Sequence, residues 1–418
     1  MTYLPHKESH PSISSSLNLF NAENVDVSVK YGYYEQFHPQ QPLSENIHFQ
    51  IFSNEDYFID LSSTFIDLNV VVKKKSDNTT PNAGDGLSYE NCILHNLFKQ
   101  INVFINGTLV STSNNLSNYA SYIQFMMMTP KAYKEMRGQS LGYEYRTGVD
   151  TDGELTTAVT QEYHLVGKLN HEIFNISQWL PPNVKIDIKL QMAPSNFILR
   201  KTLPAAPDAN VIITSAILHV RKQQVMSSVA LAVEKLRANG NNIKLLVPHT
   251  ITNQRHIATG SRSYSDSSFI NGEIPSKLAL AFVKSGSAVG SWTESPHDFN
   301  FFGLSSLVCK VNGIPLYTLS FDKKSYRTLY ELTMQSLDHD SQLFENGITN
   351  STFSKNHGVI VLDLSGTQDM SIVRTGNVRL ECTFADALTE SITLISLSQF
   401  ETYWEITPDG SVLLDLAP

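Results

Sequence analysis

Apolar and polar positions alternate most regularly over residues 98–109, FKQINVFINGTL, where Ile101, Val103 and Ile105 interleave with Asn102, Phe104 and Asn106. A period of two sends one row of side chains into a core, so this stretch is a strand. Asn106-Gly107 then turns the chain, because both residues tolerate the positive φ of a tight hairpin. Beyond the turn, Tyr119, Tyr122, Ile123, Met126 and Met127 fall at i, i+3, i+4, i+7 and i+8, which predicts a helix with one apolar stripe, ended by Pro130.

The same order of parts occurs again. Leu307, Cys309 and Val311 alternate into Asn312-Gly313, and Tyr326, Leu329, Tyr330, Met334 and Leu337 make a second stripe behind Ser325 as N-cap. Tyr119 follows Asn106 by 13 positions and Tyr326 follows Asn312 by 14, while the two turns lie 206 positions apart in a chain of 418. Further strands are predicted at Ile47, Phe49 and Ile51, and over 59–72, 184–190, 211–220, 243–247, 278–283, 359–364, 378–384 and 392–406. Residues 74–88 and 138–162 read as loops, and 227–238 as a short helix stopped by Asn239-Gly240-Asn241-Asn242.

Pairing Leu61 with Ile274, Asn106 with Asn312, and Asn183-Val184 with Asn377-Val378 gives offsets of 213, 206 and 194. The steady fall means the same parts in the same order, with shorter loops in the second half. Two copies of one β-rich domain are therefore expected side by side, each a sandwich or jelly roll with an inserted helix. The expected divisions are an N-terminal arm over 1–40, a first domain over 41–225, a linker helix over 226–242, a second domain over 243–406 and a tail over 407–418. The two turns should sit at equivalent places, with the helices after them at the same flank of each domain.

Composition adds to this picture. Hydrophobic residues make up 41% of the chain, enough for substantial cores, and charged residues only 17%, so much of the surface is neutral or apolar and suited to meeting other protein. A net charge of −9 argues against neutralising nucleic-acid phosphates, and Lys73-Lys74-Lys75 reads as a solvated strand tip. The N-terminus lacks the apolar run of a secretion signal and no window reaches membrane-span length, which leads to an expectation of cytosolic synthesis and leaves membrane contact open. Cys92, Cys309 and Cys382 are few, odd in number and unclustered, so neither disulfides nor a zinc site is expected.

A search for reactive constellations finds no nucleophile elbow, phosphate loop, dinucleotide fingerprint or zinc-protease motif. His339, between Asp338 and Asp340, reads as a partner for the end of the second helix, and His297-Asp298 as a turn entering a strand. His6 and His10 have metal-like spacing but lie in the arm between Pro5 and Pro11, where a helix is disfavoured and no third ligand is near. Asp150 to Glu154 resembles a calcium loop with its glycine misplaced and reads as a solvated turn; two of Met126, Met127 and Met128 fall on the apolar stripe and read as core. No catalytic, cofactor-binding or metal-ligating residue is assigned, and Asn106, Gly107, Asn312 and Gly313 stand as structural turns. Two β domains without a reactive cluster point to an assembly or binding scaffold and not to an enzyme.

Four segments carry a resemblance: YFIDLSSTFIDLNVVVKK (57–74), ILHNLFKQINVFINGTLVSTSNN (93–115), SPHDFNFFGLSSLVCKVNGIPL (295–316) and VRLECTFADAL (378–388). They resemble the hexon-type capsid proteins of the Polinton and adintovirus group, which includes copies integrated in animal genomes. The resemblance runs in order from about residue 44 to 406 and is most specific at Leu61-Ser62, Asn106-Gly107 and Phe384-Ala385. It implies an all-β double jelly roll of two eight-stranded sandwiches, a major capsid protein whose homotrimer forms a pseudo-hexameric capsomer tiling an icosahedral shell in the virion. Its implied partners are neighbouring capsomers and a penton or minor capsid protein, with no cofactor, no small-molecule substrate and no direct contact with nucleic acid. The rival readings are a penton or receptor-binding capsid component, a cellular hydrolase or oxidase built on two jelly rolls, and a domesticated capsid. A penton needs only one jelly roll, and the enzymes would need paired acids or histidine clusters.

Overall fold

A computed structural model describes residues 27–52, 57–144, 159–321, 326–337, 345–365 and 375–414. His6, His10, residues 150–154, Ser325 and the Asp338-His339-Asp340 triplet lie outside the described residues.

In the first half the strands are β1 (Val29–Phe37), β2 (Asn46–Phe52), β3 (Tyr57–Lys74), β4 (Phe98–Ile105), β5 (Thr108–Thr112), β6 (Tyr163–Gly167), β7 (Lys185–Met192) and β8 (Ala209–Val225). In the second half they are β9 (Ile243–Ile257), β10 (Ser263–Glu273), β11 (Lys277–Lys284), β12 (Leu304–Val311), β13 (Ile314–Ser320), β14 (Val359–Asp363), β15 (Thr375–Phe384) and β16 (Ile392–Ile406). The first eight form two antiparallel sheets in the orders β1-β8-β3-β6 and β2-β7-β4-β5. The second eight repeat this, as β9-β16-β11-β14 and β10-β15-β12-β13. Every strand pairs as its counterpart eight strands earlier does. The chain is an all-β double jelly roll.

Period-two burial builds these sheets. Along β3, Ile66, Leu68, Val70 and Val72 are fully buried while Phe65, Asp67, Asn69 and Val71 face outward. Each such buried side chain stabilises the sheet by about 1.5–3 kcal/mol. Two small ribbons are added: Leu87–Tyr89 pairs with Leu199–Lys201, and Val412–Leu414 pairs back onto Trp404–Ile406.

Among the described residues four longer helices interrupt the strands: α1 (Ser117–Met128), α2 (Lys131–Arg137), α3 (Ser227–Ala238) and α4 (Arg327–Leu337). All five stripe residues predicted for α1 are buried, and Pro130 separates it from α2. Of the methionine run, Met126 and Met127 are buried and Met128 is exposed. α3 joins β8 to β9 and buries none of its residues. α1 and α4 occupy matching places in the connectivity, but α1 lies against β4 while α4 lies against β14, so the common flank expected for them is not found.

The structure also corrects the expected divisions. The arm was expected to reach residue 40, yet Val29–Phe37 is paired along its length with β8. Its side chains are mostly exposed on both faces, so no alternation marks it as a strand. Residues beyond Ile406 are likewise not wholly a tail, since Val412–Leu414 rejoins the sheet. Asn377 corresponds to Lys185, two positions after the Asn183 paired with it from sequence, because each takes the backbone hydrogen bond of its turn asparagine.

Candidate functional site

The polar chemistry of the molecule gathers where the two jelly rolls meet. The connection between β11 and β12 reaches across to the first half. Tyr119 Oη donates to the Ala288 carbonyl at 2.9 Å, Asn196 Nδ2 to the Gly290 carbonyl at 2.9 Å, and Ser295 Oγ to Glu90 Oε2 at 3.0 Å. Gly290 has φ +106, and a Cβ there would lie 3.0 Å from the Phe197 nitrogen, so this close approach requires glycine. The basic run predicted as a solvated tip is held in place here: Lys73 Nζ bonds Thr80, Lys74 pairs with Asp85, and Lys75 lies 5.9 Å over the Trp292 ring.

His297 lies in the turn expected for it and is buried at this junction. It stacks on Tyr122 with ring centroids 3.8 Å apart, and its Nε2 bonds Asn96 Oδ1 at 2.7 Å. Burial pulls its pKa down to about 3, and burial likewise brings His95 to about 4. Both rings are neutral across the physiological range.

A second contact is made by Lys134 of α2, whose Nζ donates to the Met126 carbonyl at 2.6 Å and the Asn346 carbonyl at 2.9 Å. Burial draws this ammonium down to about 7, with Cys92 opposing the shift. Asn346 Nδ2 returns a bond to the Met127 carbonyl at 3.3 Å.

The third contact borders a cleft of about 520 Å³ whose lining includes His95, Gln124, Lys168, His171, Glu172 and Thr250. Glu172 Oε2 accepts from His249 Nδ1 at 2.9 Å and from the Thr250 nitrogen at 3.0 Å, tying the first half to β9. Burial pushes the Glu172 carboxyl up, but the bond and charge of His249 outweigh it and hold the pKa below the ordinary value. Burial pushes His249 down, and Glu172 outweighs that and raises it. Each group thus favours the charged form of the other, and the pair is internal to the fold.

Ser111 Oγ lies 3.2 Å from His171 Nε2, with Glu172 adjacent in sequence, a grouping that invites comparison with a nucleophile and its base. The geometry does not support that chemistry. His171 Nδ1 accepts from the Ile173 nitrogen at 3.4 Å, which places the ring proton on Nε2, where it donates to Ser111 and takes no proton from it. Glu172 meanwhile serves His249. Among the described residues no three His, Cys, Asp or Glu side chains come together as metal ligands, and Cys92, Cys309 and Cys382 are all free and buried.

The turns picked out by sequence lie at the tips of the β4–β5 and β12–β13 hairpins. Asn106 and Gly107 have φ of 50° and 84°, Asn312 and Gly313 51° and 81°. Asn106 donates its backbone N–H to the Lys185 carbonyl at 2.8 Å and its Oδ1 accepts from the Lys185 nitrogen at 2.9 Å. Asn312 does the same with Asn377, at 2.9 Å in both bonds. Both hairpins carry a bulge at the same register, after the pairs Phe104 with Leu109 and Lys310 with Pro315. One difference stands out: Asn106 Nδ2 also donates to the Gly410 carbonyl at 2.7 Å, and Val412–Leu414 lies beside β5.

The junction residues were missed from sequence because each is a single polar side chain within an apolar stretch, and Glu172 meets His249 only across 77 positions.

No protein-family model matches the sequence, and no curated protein sequence matches it. Solved structures do match its fold. The mavirus major capsid protein aligns with TM-score 0.56 and 12% identity over 99% of this chain and 97% of that one. A Sputnik virophage chain aligns with TM-score 0.63 and 12% identity over 98% and 93%, and a PBCV-1 virus capsid chain with TM-score 0.60 and 11% identity over 96% and 100%. These neighbours are viral double jelly-roll major capsid proteins.

Proposed function

We propose that the chain is a major capsid protein of the Polinton and adintovirus group, acting as a homotrimer whose six jelly rolls make a pseudo-hexameric capsomer. The observation that carries the reading is the duplication itself: strand order, turn conformation and bulge register all repeat between the halves. Three copies of such a chain present six similar edges, which lets a threefold object fill a sixfold position in a closed lattice. The capsid proteins that share its fold support the same reading.

The polar groups at the junction serve this role by fixing the angle between the two jelly rolls. Glu172 with His249, His297 with Asn96, and Lys134 with Asn346 each join the first half to the second. A capsomer needs that angle held in every copy. Neighbouring capsomers and a penton or minor capsid protein are the partners of such a particle, and its place is the virion shell.

The test is the mass and outline of the purified protein. A particle of three times 46.7 kDa with a hexagonal projection is expected. A monomer at all accessible concentrations would sink the reading. Removing residues 1–26, which precede the first strand, should leave the trimer intact and reduce only the yield of closed shells.

A further inference from the structure

The duplication continues past the last strand of each jelly roll, and there the halves differ. Val225 ends β8 opposite Val29, as Ile406 ends β16 opposite Ile243. After Ile406 the chain turns through Gly410, whose carbonyl takes the bond from Asn106, and Val412–Leu414 lies beside β5. The second jelly roll thereby caps the hairpin tip of the first. By the same count, residues 226–230 are the counterpart of 407–411, and they form the start of α3.

Both surfaces that would complete the matching contact are open. On the hairpin side, Val110 is 1% exposed, whereas its counterpart at the bulge, Leu316, is 43% exposed, and Ile314 beside it is 66% exposed. Asn312 Nδ2 makes no bond to any described residue, where Asn106 Nδ2 bonds Gly410. On the other side, Met226 is 39% and Val27 70% exposed, held together by the bond from the Met226 nitrogen to the Ser28 carbonyl at 2.8 Å.

Within one chain, the end of β16 in the second jelly roll meets the hairpin of the first. In a ring of alternating first and second jelly rolls, the end of β8 in the first must face the hairpin of a second jelly roll belonging to another copy. We propose that the start of α3, with Met226 and the adjoining Val27, is the surface that receives the Asn312–Leu316 hairpin tip of a neighbouring copy of the chain. The contact continues between subunits the junction already formed inside each one. It rests on the trimeric reading, and it names the side chains that hold the trimer: Ile314 and Leu316 of one subunit are withdrawn from water against Val27 and Met226 of the next.

The full chain carrying Met226→Cys, the chain carrying Ile314→Cys and the doubly substituted chain supply the test, with a short bismaleimide and with mild oxidation. The three native thiols are buried and stay silent. The double variant should yield covalently closed trimers, and co-expressed single variants a covalent dimer, while each single variant alone remains uncoupled. Trimeric mass without any coupling overturns this contact and leaves the capsomer reading standing; coupling within one chain overturns the contact as well. A monomeric protein overturns both. Met226→Asp should independently shift the trimer toward monomer, and an unchanged trimer dissociation constant would count against the proposal.

Discussion

At the scale of single residues, the most informative pair is Glu172 and His249. Both are buried, and each is the reason the other is charged: without its partner, the burial of either would favour the neutral form. Removing one member of such a pair strips the other of the partner that offsets its burial, and breaking a buried pair costs about 3–5 kcal/mol. Glu172→Gln should therefore lower unfolding stability by about 3 kcal/mol in urea titrations. His249→Gln in the same background should add little, and strictly additive losses would show that the pair is not coupled. The pH dependence has a definite sign. His249 is raised above 6.5, so its contribution is full below that value and is lost as pH rises through its folded pKa. Glu172 is lowered below 4.5, so its contribution is present above that value and is lost as pH falls through its folded pKa. The effect of Glu172→Gln should accordingly be greatest between pH 4.5 and 6.5.

At the scale of elements, the two hairpins test the duplication most directly. Gly107 and Gly313 stand at φ 84° and 81°, and a Cβ at either would meet nothing within 4 Å. Alanine at these positions then brings only the left-handed backbone penalty, about 1–2 kcal/mol. Gly107→Ala and Gly313→Ala should destabilise by equal amounts within error in thermal or urea unfolding, and a clear inequality would mean the turns are not equivalent. These elements were legible in the sequence because one face of each strand is buried, as in β4, β12 and the second half of β3, and burial of one face imposes the period of two. β10 escaped because Ser263–Glu273 is polar and largely exposed on both sides, and β1 because its tyrosines face solvent on both sides. The junction was illegible for a different reason. His297 and Asn96 meet across 201 positions, and no local pattern records a contact made only when two finished domains are brought together.

At the scale of the whole molecule, the junction sets how the double jelly roll responds to acid. His297 joins the halves as a neutral ring, stacked on Tyr122 and donating to Asn96, with its pKa at about 3; His95, on the same side of the junction as α1, stands at about 4. An imidazole held below 6.5 in the folded chain binds its proton more readily once the chain unfolds. Stability from these two groups is therefore full above pH 6.5 and is lost as pH falls toward 4 for His95 and 3 for His297. Burial lowers His171 as well, and His249 acts in the opposite sense, so among the histidines the net slope reports three lowered rings against one raised ring. His297→Gln keeps a donor for Asn96 but cannot take up a proton. Its stability at neutral pH should fall through the lost ring stacking, while the slope of unfolding free energy between pH 6.5 and 4 should shrink by about one proton. An unchanged slope with lowered overall stability would place the acid sensitivity elsewhere and reduce His297 to a packing residue; a flattened slope identifies His297, at the seam between the jelly rolls, as a source of the acid sensitivity.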